Sequence, residues 1–133
     1  MKTPPALTQL TPVMVVDTVE PCLAFWTERF GFTKENEVPG ADGKLIFASA
    51  RAGAVEVMYQ TRASVVGDDP GLAAELSGHS ITLFITVADL DAIERAIAGV
   101  PVVKPRHKTF YGSEEIYVKE PGGNTVGFAA FAR

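Results

Sequence analysis

Apolar and polar positions along this chain follow two rhythms, one strand-like and one helical, and the same order of rhythms occurs twice. Thr11 to Val16 is an apolar, β-branched run that reads as a strand. Asp17 follows it as an expected helix N-cap, with Glu20 three residues on in capping-box position. Leu23, Trp26 and Phe30 then recur at helical spacing and give one apolar face, which Gly31 is placed to close in a left-handed conformation. Phe32 to Val38, Leu45 to Ala50 and Ala54 to Tyr59 read as three strands of a meander. They are separated by Pro39-Gly40-Ala41-Asp42-Gly43 and by Arg51-Ala52-Gly53.

From Gln60 to Gly78 the strand signal stops. Gly67, Asp68, Asp69, Pro70 and Gly71 mark a linker with at most one or two helical turns around Leu72 to Leu76. The first pattern then restarts: Ser80 to Val87 is a strand, Asp89 or Asp91 caps a helix whose face is Leu90, Ile93 and Ile97, and Gly99 stops it. Val102 to Lys104 supplies a further strand. Glu115 to Lys119 and Thr125 to Phe131 flank the turn Pro121-Gly122-Gly123-Asn124 as a hairpin.

A duplication should keep its offset. Asp17 to Asp89 is 72 residues, Gly31 to Gly99 is 68 and Glu56 to Gly127 is 71. The expected architecture is therefore α+β, two tandem βαβββ modules forming a concave mixed sheet. Module one spans 8–60, the linker 61–78 and module two 79–133, all within a single domain.

Composition narrows the functional classes. A chain of 133 residues buries one real core, and a formal net charge of −4 argues against nucleic-acid phosphates as partners. Cys22 stands alone, which excludes an intramolecular disulfide and a cysteine metal cluster and suits a reducing cytoplasm. The opening Met1 to Pro5 lacks the apolar run of a secretion signal, and no apolar stretch is long enough to span a bilayer. A soluble, cytoplasmic protein is expected. No Gly-rich phosphate loop, nucleophile elbow or dinucleotide fingerprint is present.

Val15-Val16-Asp17, Ala24-Phe25-Trp26 and Phe30-Gly31-Phe32 resemble the first strand, helix and helix ending of the vicinal-oxygen-chelate superfamily. Tyr111-Gly112-Ser113-Glu114-Glu115 and Glu120-Pro121-Gly122-Gly123-Asn124 are similar to that family's two later signatures. The family includes glyoxalase, ring-cleaving dioxygenases and fosfomycin- and bleomycin-resistance proteins. The resemblance covers almost the whole chain, although Glu114 stands where an Arg is usual and Glu120 where an Asp is. It implies a metal site on the first and fourth strands of each module in the enzymes, and drug capture between two paired chains in the metal-free branch.

Under that resemblance the four ligand positions fall on Leu10, Glu56, Thr82 and Gly127, of which only Glu56 carries a coordinating side chain. A lone carboxylate does not hold a catalytic metal of this kind, so no metal and no cofactor are expected. Strand alternation aims Glu56 and Met58 to one side, where an unneutralised carboxylate would meet a cationic ligand or act as an acid or base. Phe47, Phe84, Tyr111 and Tyr117 lie on or beside the strands that should form the walls, and Phe84 shares parity with Thr82. Flat aromatic walls with a few polar groups suit an aromatic organic guest.

Bland readings compete for the other residues. His79 is expected as a solvent-facing linker residue, with a shifted metal ligand as the alternative. His107 is expected on an exposed loop, with a general base as the alternative. Cys22 is expected as a small buried hydrophobe and Phe128 as core. The ligand-binding set is thus Phe47, Glu56, Met58, Thr82, Phe84, Tyr111 and Tyr117, and no residue is assigned a catalytic role. The expected function is metal-independent binding of a small organic molecule, by a homodimer that contacts neither nucleic acid nor membrane. A metal-dependent glyoxalase-like lyase or dioxygenase, with Glu56 joined by His79 or Glu115, and a ligand-free dimerisation module are the alternatives.

Overall fold

A computed structural model describes residues 3–132. Met1, Lys2 and Arg133, at the ends of the segments read above, lie outside the described residues. Strand β1 (Val13–Val16) leads into helix α1 (Val19–Phe30), and β2 (Thr33–Pro39), β3 (Leu45–Ala52) and β4 (Val55–Thr61) complete a first sheet in the order β1-β4-β3-β2. β1 runs parallel to β4, and the remaining pairs are antiparallel.

The start of α1 differs from expectation. Its N-cap is Thr18, in extended conformation and without a side-chain cap bond, so Asp17 lies outside the helix. A capping box needs its acidic residue at the third helical position, and with Thr18 as the cap Glu20 falls one short of it. Glu20 instead accepts a 2.8 Å hydrogen bond from the Leu45 N–H at the head of β3. The other end matches expectation: Gly31 has φ 67° and its N–H donates to the Trp26 carbonyl.

The linker holds more helix than its sequence suggested. α2 (Arg62–Asp68) and α3 (Pro70–Glu75) both form there. Each has its own capping oxygen, Thr61 Oγ1 accepting from Ser64 N–H and Asp69 Oδ1 from the N–H groups of Gly71 and Leu72. Local capping, with Val65 as the one buried side chain in either helix, does what a full apolar stripe would otherwise do.

The second sheet repeats the first. β5 (Thr82–Thr86), α4 (Leu90–Ala96), β6 (Val102–Lys108), β7 (Ser113–Lys119) and β8 (Thr125–Phe131) give the order β5-β8-β7-β6, with β5 parallel to β8. Asp89 caps α4 by accepting from Ala92 N–H. β6 runs four residues past Lys104. Pro105, which has no N–H to pair, is accommodated because β6 is an edge strand whose register shifts between Lys104 and His107.

The helix-facing sides of both sheets share one core, in which Trp26, Tyr59, Val118, Val126 and Phe128 are all nearly or fully buried. Phe30 at the end of α1 stacks on Phe128 of β8 with ring centroids 5.3 Å apart. Arg29 donates to the carbonyls of Ala96 and Ala98 at the C-terminal end of α4. A buried polar chain also crosses between the halves: Trp26 Nε1 donates to Tyr59 Oη at 2.8 Å, and Tyr59 Oη donates to Glu120 Oε2 at 2.6 Å. The other oxygen of Glu120 accepts from Asn124 N–H at 2.5 Å within the hairpin turn. Glu120, in a turn by sequence and at the place where the resemblance has an Asp, is therefore a buried, three-element tie.

Candidate functional site

Alternation along β7 sends Ile116 and Val118 into the core and Ser113, Glu115 and Tyr117 to the opposite, open face. Glu115 is 1% exposed and, among the described residues, has no arginine or lysine in an ion pair with it. Its charge is held by hydroxyls: Tyr111 Oη and Ser113 Oγ donate to Oε2 at 2.6 and 2.7 Å, and Tyr117 Oη donates to Oε1 at 2.8 Å. Behind Ser113, Thr109 Oγ1 lies 2.8 Å from Ser113 Oγ and extends the chain of hydroxyls. The turn at Gly112, where φ is 93°, brings Tyr111 back over β7 so that its hydroxyl reaches a residue four positions on.

Burial pushes the Glu115 carboxyl upward, but donation from Tyr111, Ser113 and Tyr117, with the nearby His107, outweighs it and holds the group below the ordinary carboxylate range. The same bonds act in reverse on their donors. Tyr117, desolvated and bonded to Glu115, is pushed up to about 12, and Tyr111 is raised chiefly by its bond to Glu115.

His107 completes this wall. It lies on β6, paired in register with Glu115, and its ring stacks on Tyr117 at a centroid distance of 6.2 Å and an interplanar angle of 21°. Its Nδ1 is 2.8 Å from the Pro105 carbonyl. The expectation of an exposed loop residue is thereby corrected: β6 extends far enough to carry His107 into the sheet. Thr82, His107, Tyr111, Glu115 and Tyr117 border one open groove of about 580 Å³, with Val103, Lys104 and Lys108 on its β6 side.

The sequence-derived residues divide between two places. Thr82, Tyr111 and Tyr117 line that groove. Phe84, half exposed, is beside them on β5 and pairs in register with Gly127. Phe47, Glu56 and Met58 do not line it; they belong to the first sheet, on β3 and β4. There the expected unneutralised carboxylate is not found, since Glu56 forms a 3.1 Å ion pair with Arg51, its cross-strand partner, and accepts from Gln9 and Thr11 at 2.6 and 2.8 Å. Its side chain is 8% exposed. The sequence pairing of Glu56 with an absent partner overlooked Arg51, which the five-residue span across the β3–β4 turn brings opposite.

The four ligand positions do not fit a metal. Leu10 is apolar and 91% exposed, Thr82 offers a hydroxyl, and Glu56 is committed to Arg51. At Gly127 a side chain would have no room, because a Cβ there would come within 2.5 Å of the Tyr117 ring. Among the described residues no group of three or more His, Cys, Asp and Glu side chains could hold a metal ion. His79 is exposed and lies 3.1 Å from Asn124 Oδ1 through Nδ1. Cys22 is fully buried, and its thiol is pushed up to about 12 by burial and then by Glu120, which makes it a protonated core residue. Glu114, in the position usually held by Arg, faces away from the groove and pairs with Arg106, which also binds Asp91 and Glu94 of α4.

Sequence reasoning gave Glu115 only a secondary place as an alternative metal ligand. Its signal was the i, i+2, i+4 series Ser113, Glu115, Tyr117, which puts a carboxylate between two hydroxyls on one strand face.

The architecture has counterparts among known proteins. A model of the family described as Glyoxalase/Bleomycin resistance protein/Dioxygenase superfamily matches residues 8–128. An uncharacterized protein of Mycobacterium bovis is 32% identical over 118 residues, covering 86% of this chain and 78% of that protein. Among solved structures, a lactoylglutathione lyase from Agrobacterium tumefaciens superposes with a TM-score of 0.70 at 18% identity, covering 96% of this chain and 95% of that one. TnmS3, an antibiotic binding protein from Streptomyces sp. CB03234, gives 0.67 at 19% identity over 96% of this chain and 98% of its own. At these identities the two structures speak for the fold alone. No helix among the described residues is long and apolar enough to cross a membrane.

Proposed function

The chain belongs to the glyoxalase/bleomycin resistance protein/dioxygenase superfamily, and from that membership we propose that it is a metal-independent binding protein for a small aromatic or cationic organic molecule, such as an antibiotic, which it sequesters without chemical change. The observation that carries this reading is the groove over Glu115. A buried carboxylate there forms no ion pair with an arginine or lysine among the described residues and is roofed by two tyrosines, so it offers a guest flat apolar surface and a negative field together. The positions that hold a metal in enzymes of this fold are meanwhile taken by an ion-paired glutamate and by a glycine under a tyrosine ring.

The working unit in this proposal is a homodimer in the cytoplasm. Leu10, Val13, Ile81, Phe84 and Phe131 are large apolar side chains left between 45% and 91% exposed on the single chain, and a second copy laid over the open faces would cover such surface. Thermal-shift screening of aromatic antibiotics and cationic aromatic amines, with sedimentation velocity for the dimer, tests both parts. A rise in melting temperature that Thr82→Trp abolishes, by filling the groove, is the expected result. Stoichiometric zinc, nickel, iron or manganese in protein purified without chelator, bound through Glu56, would overturn the reading.

A further inference from the structure

The hydroxyls bonded to Glu115 are polarised one way. An ionised carboxylate only accepts, so the three hydroxyls at 2.6 to 2.8 Å must each turn their hydrogen toward it. The Tyr111 and Tyr117 oxygens then have only lone pairs left for anything in the groove. His107 is set the same way. A backbone carbonyl can only accept, so in the neutral ring the hydrogen sits on Nδ1, pointing at Pro105, and Nε2 is left as an acceptor. Of the other groups around the groove, the Thr82 and Thr125 hydroxyls serve either way. Lys104 and Lys108 of β6 also line the groove and are donors wherever their ammoniums reach it.

We infer that the groove selects its guest by donor pattern: it takes a planar aromatic molecule whose ring carries phenolic O–H or aromatic N–H groups, and discriminates against the same ring carrying acceptors alone. Tyr111, Tyr117 and His107 supply the three acceptors, and stacked Tyr117 and His107 supply the flat wall. This rests on the small-molecule binding proposed above and specifies the ligand class for that same groove.

Replacing the carboxylate by an amide reverses the logic. In Glu115→Gln one of the two oxygens becomes an NH2 donor, and the hydroxyls facing it must turn over to accept. If the NH2 takes the Oε1 place, Tyr117 releases its hydrogen into the groove; if it takes the Oε2 place, Tyr111 does. Either way a tyrosine becomes a donor to the guest.

The experiment is a calorimetric titration with two matched probes, a naphthalenediol and its dimethyl ether. Wild type is expected to bind the diol more tightly on the order of tenfold, the size of one hydrogen bond made or left unmade. Glu115→Gln is expected to narrow or reverse that ratio. Tyr111→Phe, a half-exposed position that leaves the sheet intact, is expected to weaken the diol several-fold and leave the ether unchanged. Equal binding of both probes to wild type, abolished for both by Thr82→Trp, would overturn the donor rule and leave the binding function standing. Binding of neither probe, or binding untouched by Thr82→Trp, would overturn both. Should Glu115→Gln fail to fold, the Tyr111→Phe comparison decides alone.

Discussion

The Tyr117 ring lies against Gly127, its cross-strand partner, so closely that a Cβ at position 127 would stand 2.5 Å from Cε1 and 3.0 Å from Cζ. In the first module the equivalent pair is Arg51 and Glu56, also cross-strand partners, joined by an ion pair, with Glu56 lying 71 residues before Gly127. In each module the neighbour on the third strand has thus taken over the space or the charge of the fourth-strand position.

Gly127→Ala is expected to destabilise the protein by about 1 to 3 kcal/mol, because the added methyl meets a ring whose hydroxyl is anchored to Glu115. In a Tyr117→Ala background the same change should cost much less. Urea unfolding of the four proteins of this double-mutant cycle measures the coupling, and simple additivity would show that the ring yields freely.

Gly127→Glu is expected to gain no zinc affinity at the micromolar level, since Leu10 and Thr82 still contribute no nitrogen or carboxylate ligand and Glu56 stays with Arg51. Calorimetric titration of the variant with zinc checks this. Micromolar or tighter binding would show that the four positions have been misplaced.

Tyr59→Phe removes the middle link between Trp26 and Glu120 and leaves two buried groups short of a partner. The expected loss is about 1 to 3 kcal/mol in urea unfolding. Tyr111→Phe, at a half-exposed position where water can replace the hydroxyl, is expected to cost less. A smaller effect at Tyr59 than at Tyr111 would contradict the importance of the buried chain.

The tyrosines also predict a pH profile. Tyr59, Tyr111 and Tyr117 are the only three in the chain, and all are raised above the ordinary value of 10.0, Tyr117 to about 12. A phenol whose folded value is raised stabilises the fold fully below pH 10 and loses that contribution as pH rises through its folded value. Tyrosinate absorbance is therefore expected to stay flat at pH 10, where free tyrosine is half ionised, and to rise beyond it together with loss of circular dichroism. Glu115, held below 4.5, acts oppositely: its contribution is complete above pH 4.5 and disappears as pH falls through its folded value. In Glu115→Gln the acid limb of the stability curve should flatten while Tyr117 titrates at lower pH.

Most of the fold was legible because it is written in local signals. Leu23, Trp26 and Phe30 set the first helix face, Gly31 its stop, and Thr125 to Phe131 an entire strand from its first residue to its last. What the letters concealed were relations across strands. Arg51 is invisible as the partner of Glu56 until the β3–β4 register is known, and His107 reads as a loop residue until β6 is seen to continue past Pro105. The same reason hides Glu120, which lies in a turn by sequence and in the core by packing. Within the groove, Tyr111 and Tyr117 were recognisable as aromatic walls, whereas Glu115 was obscured by the usual reading of a carboxylate as a metal ligand.

The tie from Trp26 through Tyr59 to Glu120 bears on how the two halves relate as units. Each half supplies a group that the other satisfies: separated, the first would leave the Tyr59 phenol without its acceptor, and the second one oxygen of the Glu120 carboxylate without its donor. Two copies of one motif have in this way become obligate complements, so that neither can be shed or replaced by a duplicate of its sibling without also rewriting the residues that join them.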